Sequence, residues 1–325
     1  MELPSESALL ELTARFGRLR ARLRDELGPP LLVLPNGKFF PDPYDGTTAA
    51  AQRLLTRLQY HTNLSDIPIE VHSTQEGSAS SCQSGGCGPS LPDPSSTRLE
   101  ATEDGWRLQW AGEERNHPVA LTTLLSRVLA GVFLEEIRRP NDLPPAPAMQ
   151  DLAGVHLGLG PLLLEGAFVY SKGCGGPRVS QLTALNAAEM AFCVTLYASL
   201  HRLELKHTVK CASTTQASLL RESADLLRAN PQLVNWLRTS SLDAPTPSFS
   251  LAPPKPRWFG SFRWRERERQ TDPLEALLEG TLDEAALLSS AAQRGASAKS
   301  RSSPKHHDDD ELKSLVAESL SRSTS

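Results

Sequence analysis

Cysteine is scarce in this chain, and its five copies form no framework. Only Cys82 and Cys87 lie close together, which excludes a disulfide-stapled secreted scaffold and makes a reducing cytoplasm the expected compartment. A basic excess is missing as well. The 34 Lys and Arg stand against 38 Asp and Glu, a net charge of -4, so no nucleic-acid partner is expected. No basic segment followed by an apolar run opens the sequence; MELPSESALLELTARFGRLRARL has amphipathic, helical spacing instead. A long unbroken apolar run is also lacking. The nearest approach, residues 152–170, contains His156, Glu165 and several glycines, and reads as a buried helix rather than a membrane span.

What is present suits a folded body with loose connectors. A chain of 325 residues that is 39% hydrophobic can bury a substantial core, while its 25 prolines are unevenly spread. Leu9, Leu12, Phe16, Leu19 and Leu23 recur at helical spacing over 5–27, and Leu54, Leu55 and Leu58 do so over 47–60. Further helices are expected over 118–138, 149–170, 186–205, 212–228 and 231–239. Strands are expected near 31–35 and 67–72, with a hairpin over 97–110 turning at Glu103-Asp104-Gly105. Pro68 marks the second strand as an edge, because it removes one ladder donor. Residues 73–96, rich in Ser, Gly and Pro, read as a long loop. The expectation is an α+β fold, a small mixed β-sheet packed against a helical bundle, in one domain over 1–240. Residues 241–325 read as a mostly disordered tail with marginal helices.

Two segments are distinctive: Leu34-Pro35-Asn36-Gly37-Lys38-Phe39-Phe40-Pro41-Asp42-Pro43-Tyr44-Asp45-Gly46-Thr47, and Asp151-Leu152-Ala153-Gly154-Val155-His156-Leu157-Gly158-Leu159-Gly160 with Gly166-Ala167-Phe168. Over roughly residues 30–210 the chain resembles an uncharacterised bacterial family whose fuller members resemble zinc-dependent peptidases of the His-Glu-x-x-His type. That resemblance implies a degenerate zincin-like scaffold. In such a family the second segment follows the motif helix and begins with an acid suited to ligating metal. Here the motif positions read Arg127-Val128-Leu129-Ala130-Gly131. Two histidines at i and i+4 would ligate one Zn²⁺, and the intervening Glu would deprotonate a bound water. Arg127 and Gly131 cannot ligate and Val128 cannot act as the base, so no peptidase activity, metal or cofactor is carried over. His117 lies about 15 Å along the axis from Arg127 and is no substitute. Asp151 alone survives. Either Arg127 and Gly131 face Asp151 across a decayed metal cleft, or the helix is simply core and Asp151 is an N-cap or first-turn acid.

Other candidates carry less. Cys82 and Cys87 suit a redox dithiol, half of a metal knuckle with Cys174 as a third ligand, or an inert loop. Cys193, Tyr197 and His201 share a helical face, but eight residues span about 12 Å, too far for one metal. His156 reads as a satisfied core histidine, with a pairing to Asp151 as the alternative. Gly158, Gly160 and Gly166 suit close helix packing. In the tail, Trp258, Phe259, Phe262 and Trp264 interleave with Arg257, Arg263 and Arg265, as in a linear segment that docks on its own body or on a partner, with stacking on single-stranded nucleic acid as the alternative that Glu266 and Glu268 weaken. The expected function is therefore a non-catalytic relative of a metallopeptidase-like family, acting as a protein-binding or assembly factor with an unidentified protein partner. The rival is a thiol-dependent or redox enzyme using Cys82 and Cys87, or Cys174.

Overall fold

Local signals start most of the helices. In the computed structural model, which describes residues 3–24, 26–73, 98–110, 117–138, 145–173 and 176–253, helix α1 (Glu6–Leu23) begins where the Ser5 hydroxyl accepts from the Ala8 amide. It buries Leu9, Leu12, Phe16, Leu19 and Leu23, the stripe its spacing predicts. Helix α2 (Thr48–Thr62) is capped by Thr47 and stops at Asn63, which takes the left-handed conformation with φ 61°.

Three strands follow: β1 (Ile69–Ser73), β2 (Arg98–Thr102) and β3 (Gly105–Trp110). Their order is β1-β3-β2, with β1 parallel and β2 antiparallel to β3, so the sheet is mixed and β1 lies at an edge just after Pro68. Residues 31–34, expected as a strand, are not part of this sheet. They lie against the turn after α4, with Leu32, Val33 and Leu34 buried and the Val33 amide bonded to the Gly158 carbonyl at 2.9 Å.

The expected single helix over 149–170 is two helices and the start of a hairpin. Helices α4 (Pro147–His156) and α5 (Gly160–Gly166) flank a turn at Gly158, whose φ is 83°. A Cβ at Gly158 would overlap the Leu31 carbonyl oxygen, so this turn and this neighbour both require glycine. Strands β4 (Val169–Gly173) and β5 (Gly176–Ser180) then pair antiparallel as a separate ribbon.

Helix α3 (Pro118–Glu136) packs on α2, α4 and α5. It is the one described helix long and apolar enough to cross a membrane, and 67% of its apolar window is buried within the protein. At Gly166 a Cβ would overlap the Thr123 side chain, which is how α5 approaches α3 so closely. Helices α6 (Ala187–His201), α7 (Leu205–Cys211), α8 (Thr214–Ala229) and α9 (Pro231–Thr239) complete an α+β body. The body extends past 240. Asn230 receives the Ala252 amide at 2.7 Å and donates to its carbonyl at 2.8 Å, and Phe249 and Leu251 pack on the core.

Candidate functional site

The site expected from the motif positions lies where α3 meets α4. Arg127 stands mid-way along α3, its side chain only 15% exposed, and Asp151 stands mid-way along α4 with no exposure. Arg127 Nε donates to Asp151 Oδ1 at 2.9 Å, and its Nη1 donates to the Leu182 carbonyl at 3.1 Å. The other carboxylate oxygen of Asp151 accepts from the amides of Ala184 at 2.6 Å and Leu185 at 2.9 Å. The ion pair therefore clamps residues 182–185, the turn that leads from β5 into α6. That helix starts with a capping box, in which the Asn186 side chain accepts from Glu189 N and the Glu189 carboxylate accepts from Asn186 N.

Gly131, one turn further along α3, also faces α4. A Cβ there would lie 3.4 Å from Gln150 Nε2. Arg127 and Gly131 thus both point at the helix carrying Asp151. The alternative of a capping acid is corrected: α4 begins at Pro147 with Ala146 as N-cap, so Asp151 lies beyond the first turn, inside the helix. Helix α4 starts earlier than 149 because proline is preorganised for the first helical position.

The chemistry of the pair is closed. Burial pushes the Asp151 carboxyl above its ordinary value, while Arg127 and the amides of Leu185 and Ala184 pull the other way. Three donors occupy the carboxylate, and a guanidinium has no lone pair to offer a metal. Among the described residues, no three His, Cys, Asp or Glu side chains come together as a metal-ion set.

His117 caps α3, its Nδ1 accepting from the Ala120 amide at 3.3 Å. His156 is buried and does not pair with Asp151. Its Nε2 bonds the Phe16 carbonyl at 3.2 Å, and its ring stacks 4.1 Å from that of Phe16. The carbonyl is an acceptor only, which assigns the proton to Nε2 and leaves Nδ1 without a hydrogen-bond partner. Burial lowers its pKa to about 3. Tyr197 accepts from the Leu31 amide at 3.3 Å, and burial pushes its hydroxyl up to about 12; its ring lies 4.6 Å from that of His201. Cys193 is fully buried, and burial raises its thiol well above the ordinary value, the opposite of a reactive thiolate. Cys193, Tyr197 and His201 are thus packing residues of α6 rather than one site.

Cys82, Cys87 and Cys174 lie outside the described residues, as do Trp258, Phe259, Phe262 and Trp264. The amides of Ala184 and Leu185 were not recognisable in the sequence as partners of Asp151, because backbone donors brought from 33 and 34 residues away leave no side-chain signal. Compared with protein-family models, curated proteins and solved structures, the chain matches none of them.

Proposed function

We propose that this chain is a non-catalytic relative of a metallopeptidase-like family, on a degenerate zincin-like scaffold, and that it works by binding another protein. One observation carries the reading: the Arg127 guanidinium is bonded to Asp151 at the position where the resemblance puts metal chemistry. A fixed cation there neutralises the acid that a metal would otherwise need, and offers no open position for water or substrate. With the cleft closed, the element suited to function is the tail segment carrying Trp258, Phe259, Phe262 and Trp264, in a reducing cytoplasm. Aromatic side chains flanked by arginine are the residue types that dominate binding energy at protein interfaces.

Two measurements on the full chain test this. Zinc-saturated protein, desalted and analysed for metal, is expected to retain no stoichiometric zinc; one tightly held zinc per chain together with peptide cleavage overturns the non-catalytic part. Affinity capture from host extract is then compared with a variant carrying Trp258→Ala, Phe259→Ala, Phe262→Ala and Trp264→Ala. A partner lost by the variant supports the binding part, and undiminished recovery refutes the tail as the contact.

A further inference from the structure

The distinctive segment 34–47 takes no part in the Arg127–Asp151 pair, yet it walls a cleft. Together with α2 and the N-terminal end of α3 it encloses about 290 Å³, lined by Pro35, Phe40, Pro43, Tyr44, Leu54 and Leu121. Most of the wall is apolar, and the charged groups lining the same space are two arginines and one aspartate, Asp42. Arg53 and Arg57 are four residues apart on α2 and so share a face; each side chain is about half exposed.

Their acidic neighbours leave most of the guanidinium donors unused. Arg57 gives Nε to Asp42 at 2.9 Å, and among the described residues it makes no other hydrogen bond. Arg53 makes none there, and its ion pair with Asp45 spans 3.8 Å, beyond hydrogen-bond reach. A guanidinium is a planar fork matched to two oxygens of one anion. Apolar walls beside two guanidiniums that keep donors free of their aspartates suit a ligand that is anionic at one end and apolar at the other. We propose that this cleft binds a small carboxylate with an apolar body, its carboxylate held by Arg53 and Arg57 and its body among Phe40, Leu54 and Leu121. The enclosed volume falls at the small end of the roughly 300–1,000 Å³ seen for ligand sites, which sets the size of the ligand. Leu121 precedes Arg127 by about 9 Å along α3, so the cleft is separate from the ion pair and the inference does not need the proposed ancestry.

Calorimetric titration of the full chain with octanoate, octanol and inorganic phosphate tests it. The expected result is one octanoate per chain, with octanol and phosphate each at least about tenfold weaker. Arg53→Gln, at a half-exposed position, is expected to keep the far-ultraviolet circular dichroism of the parent and to weaken octanoate by about tenfold while leaving octanol unchanged. Octanol or phosphate binding as tightly as octanoate, octanoate binding unaltered by Arg53→Gln, or no octanoate binding at millimolar concentration would each overturn the proposal.

Discussion

Removing the guanidinium from the Arg127–Asp151 pair is the sharpest perturbation this structure offers. Arg127→Met keeps the length and apolar stem of the side chain but leaves a fully buried carboxylate with two amide donors and no countercharge. Breaking a buried pair from one side costs about 3–5 kcal/mol, because the remaining charge is desolvated and uncompensated. For a body of this size that corresponds to a fall in melting temperature of roughly 6–20 °C. Gly131→Ala is the control. It lies on the same face, its new methyl meets only the movable end of Gln150, and its expected effect is under about 1 kcal/mol. The pH dependence adds a second arm. Burial already raises the Asp151 pKa, and loss of Arg127 raises it further. A carboxyl whose folded pKa is raised favours folding most at low pH, and that contribution is lost as pH rises from the unfolded value toward the folded one. The gap between Arg127→Met and the parent, measured as a difference in urea midpoint, is therefore expected to be widest near pH 7 and to narrow toward pH 4. A variant as stable as Gly131→Ala at pH 7, or a gap independent of pH, would refute the reasoning.

Three further outcomes are expected. His156, whose pKa is lowered to about 3, stays neutral in the fold while the unfolded chain protonates near 6.5, so stability is full above that value and falls by about 1.4 kcal/mol per unit as pH drops toward 3; His156→Phe is expected to flatten this slope in urea titrations, and an NMR titration placing His156 near 6.5 would contradict it. Gly158→Ala is expected to cost at least about 2 kcal/mol, since both its positive φ and the Leu31 carbonyl oppose a side chain, whereas Gly37→Ala, with nothing nearby, is expected to be mild. Asn230→Ala removes the two hydrogen bonds that join the end of α8 to residue 252, together with one to the Leu226 carbonyl; faster limited proteolysis within residues 241–253 is the expected readout, and cleavage at the parental rate would count against that anchoring.

How much was legible in the sequence depended on whether the signal was local. Helices α1, α2 and α9 announce themselves through capping hydroxyls, apolar spacing or an opening proline, and those features lie within one turn of where they act. The hairpin of β2 and β3 is equally local, with alternation around a two-residue turn. Residues 149–170 are not, because a continuous apolar run fits a buried helix, a strand or both. What breaks it is Gly158, and the need for glycine there comes from Leu31, more than a hundred residues earlier. Residues 31–34 fail as a strand for the matching reason: their β-like composition reports burial, and the partner available is a helix-to-helix turn rather than a sheet edge. Arg127 and Asp151 were separately visible, one as a charge in an apolar helix and the other as an acid in a glycine-rich segment. Their meeting depends on how α3 and α4 pack, and no local signal in either segment reports that.

A buried carboxylate such as Asp151 must be neutralised by a proton, a metal or a fixed cation. A metal would leave coordination positions open to water, and so could turn the acid into part of a reactive centre. Arginine neutralises the same charge with directed donors, one to Asp151 and one to Leu182, and brings no lone pair that could hold a metal. The acid thereby holds a turn, because its second oxygen is filled by Ala184 and Leu185. That turn delivers the chain to Asn186, whose capping box starts α6, a helix buried along nearly its whole length. Loss of the pair should therefore be felt at α6 as well as at α3 and α4. Amide hydrogen exchange is expected to quicken in 182–190 of Arg127→Met before the ends of α1 or α9 respond. Exchange that quickens uniformly across the body would instead mean that the pair contributes only to global stability, and that the turn it clamps has no separate dependence on it.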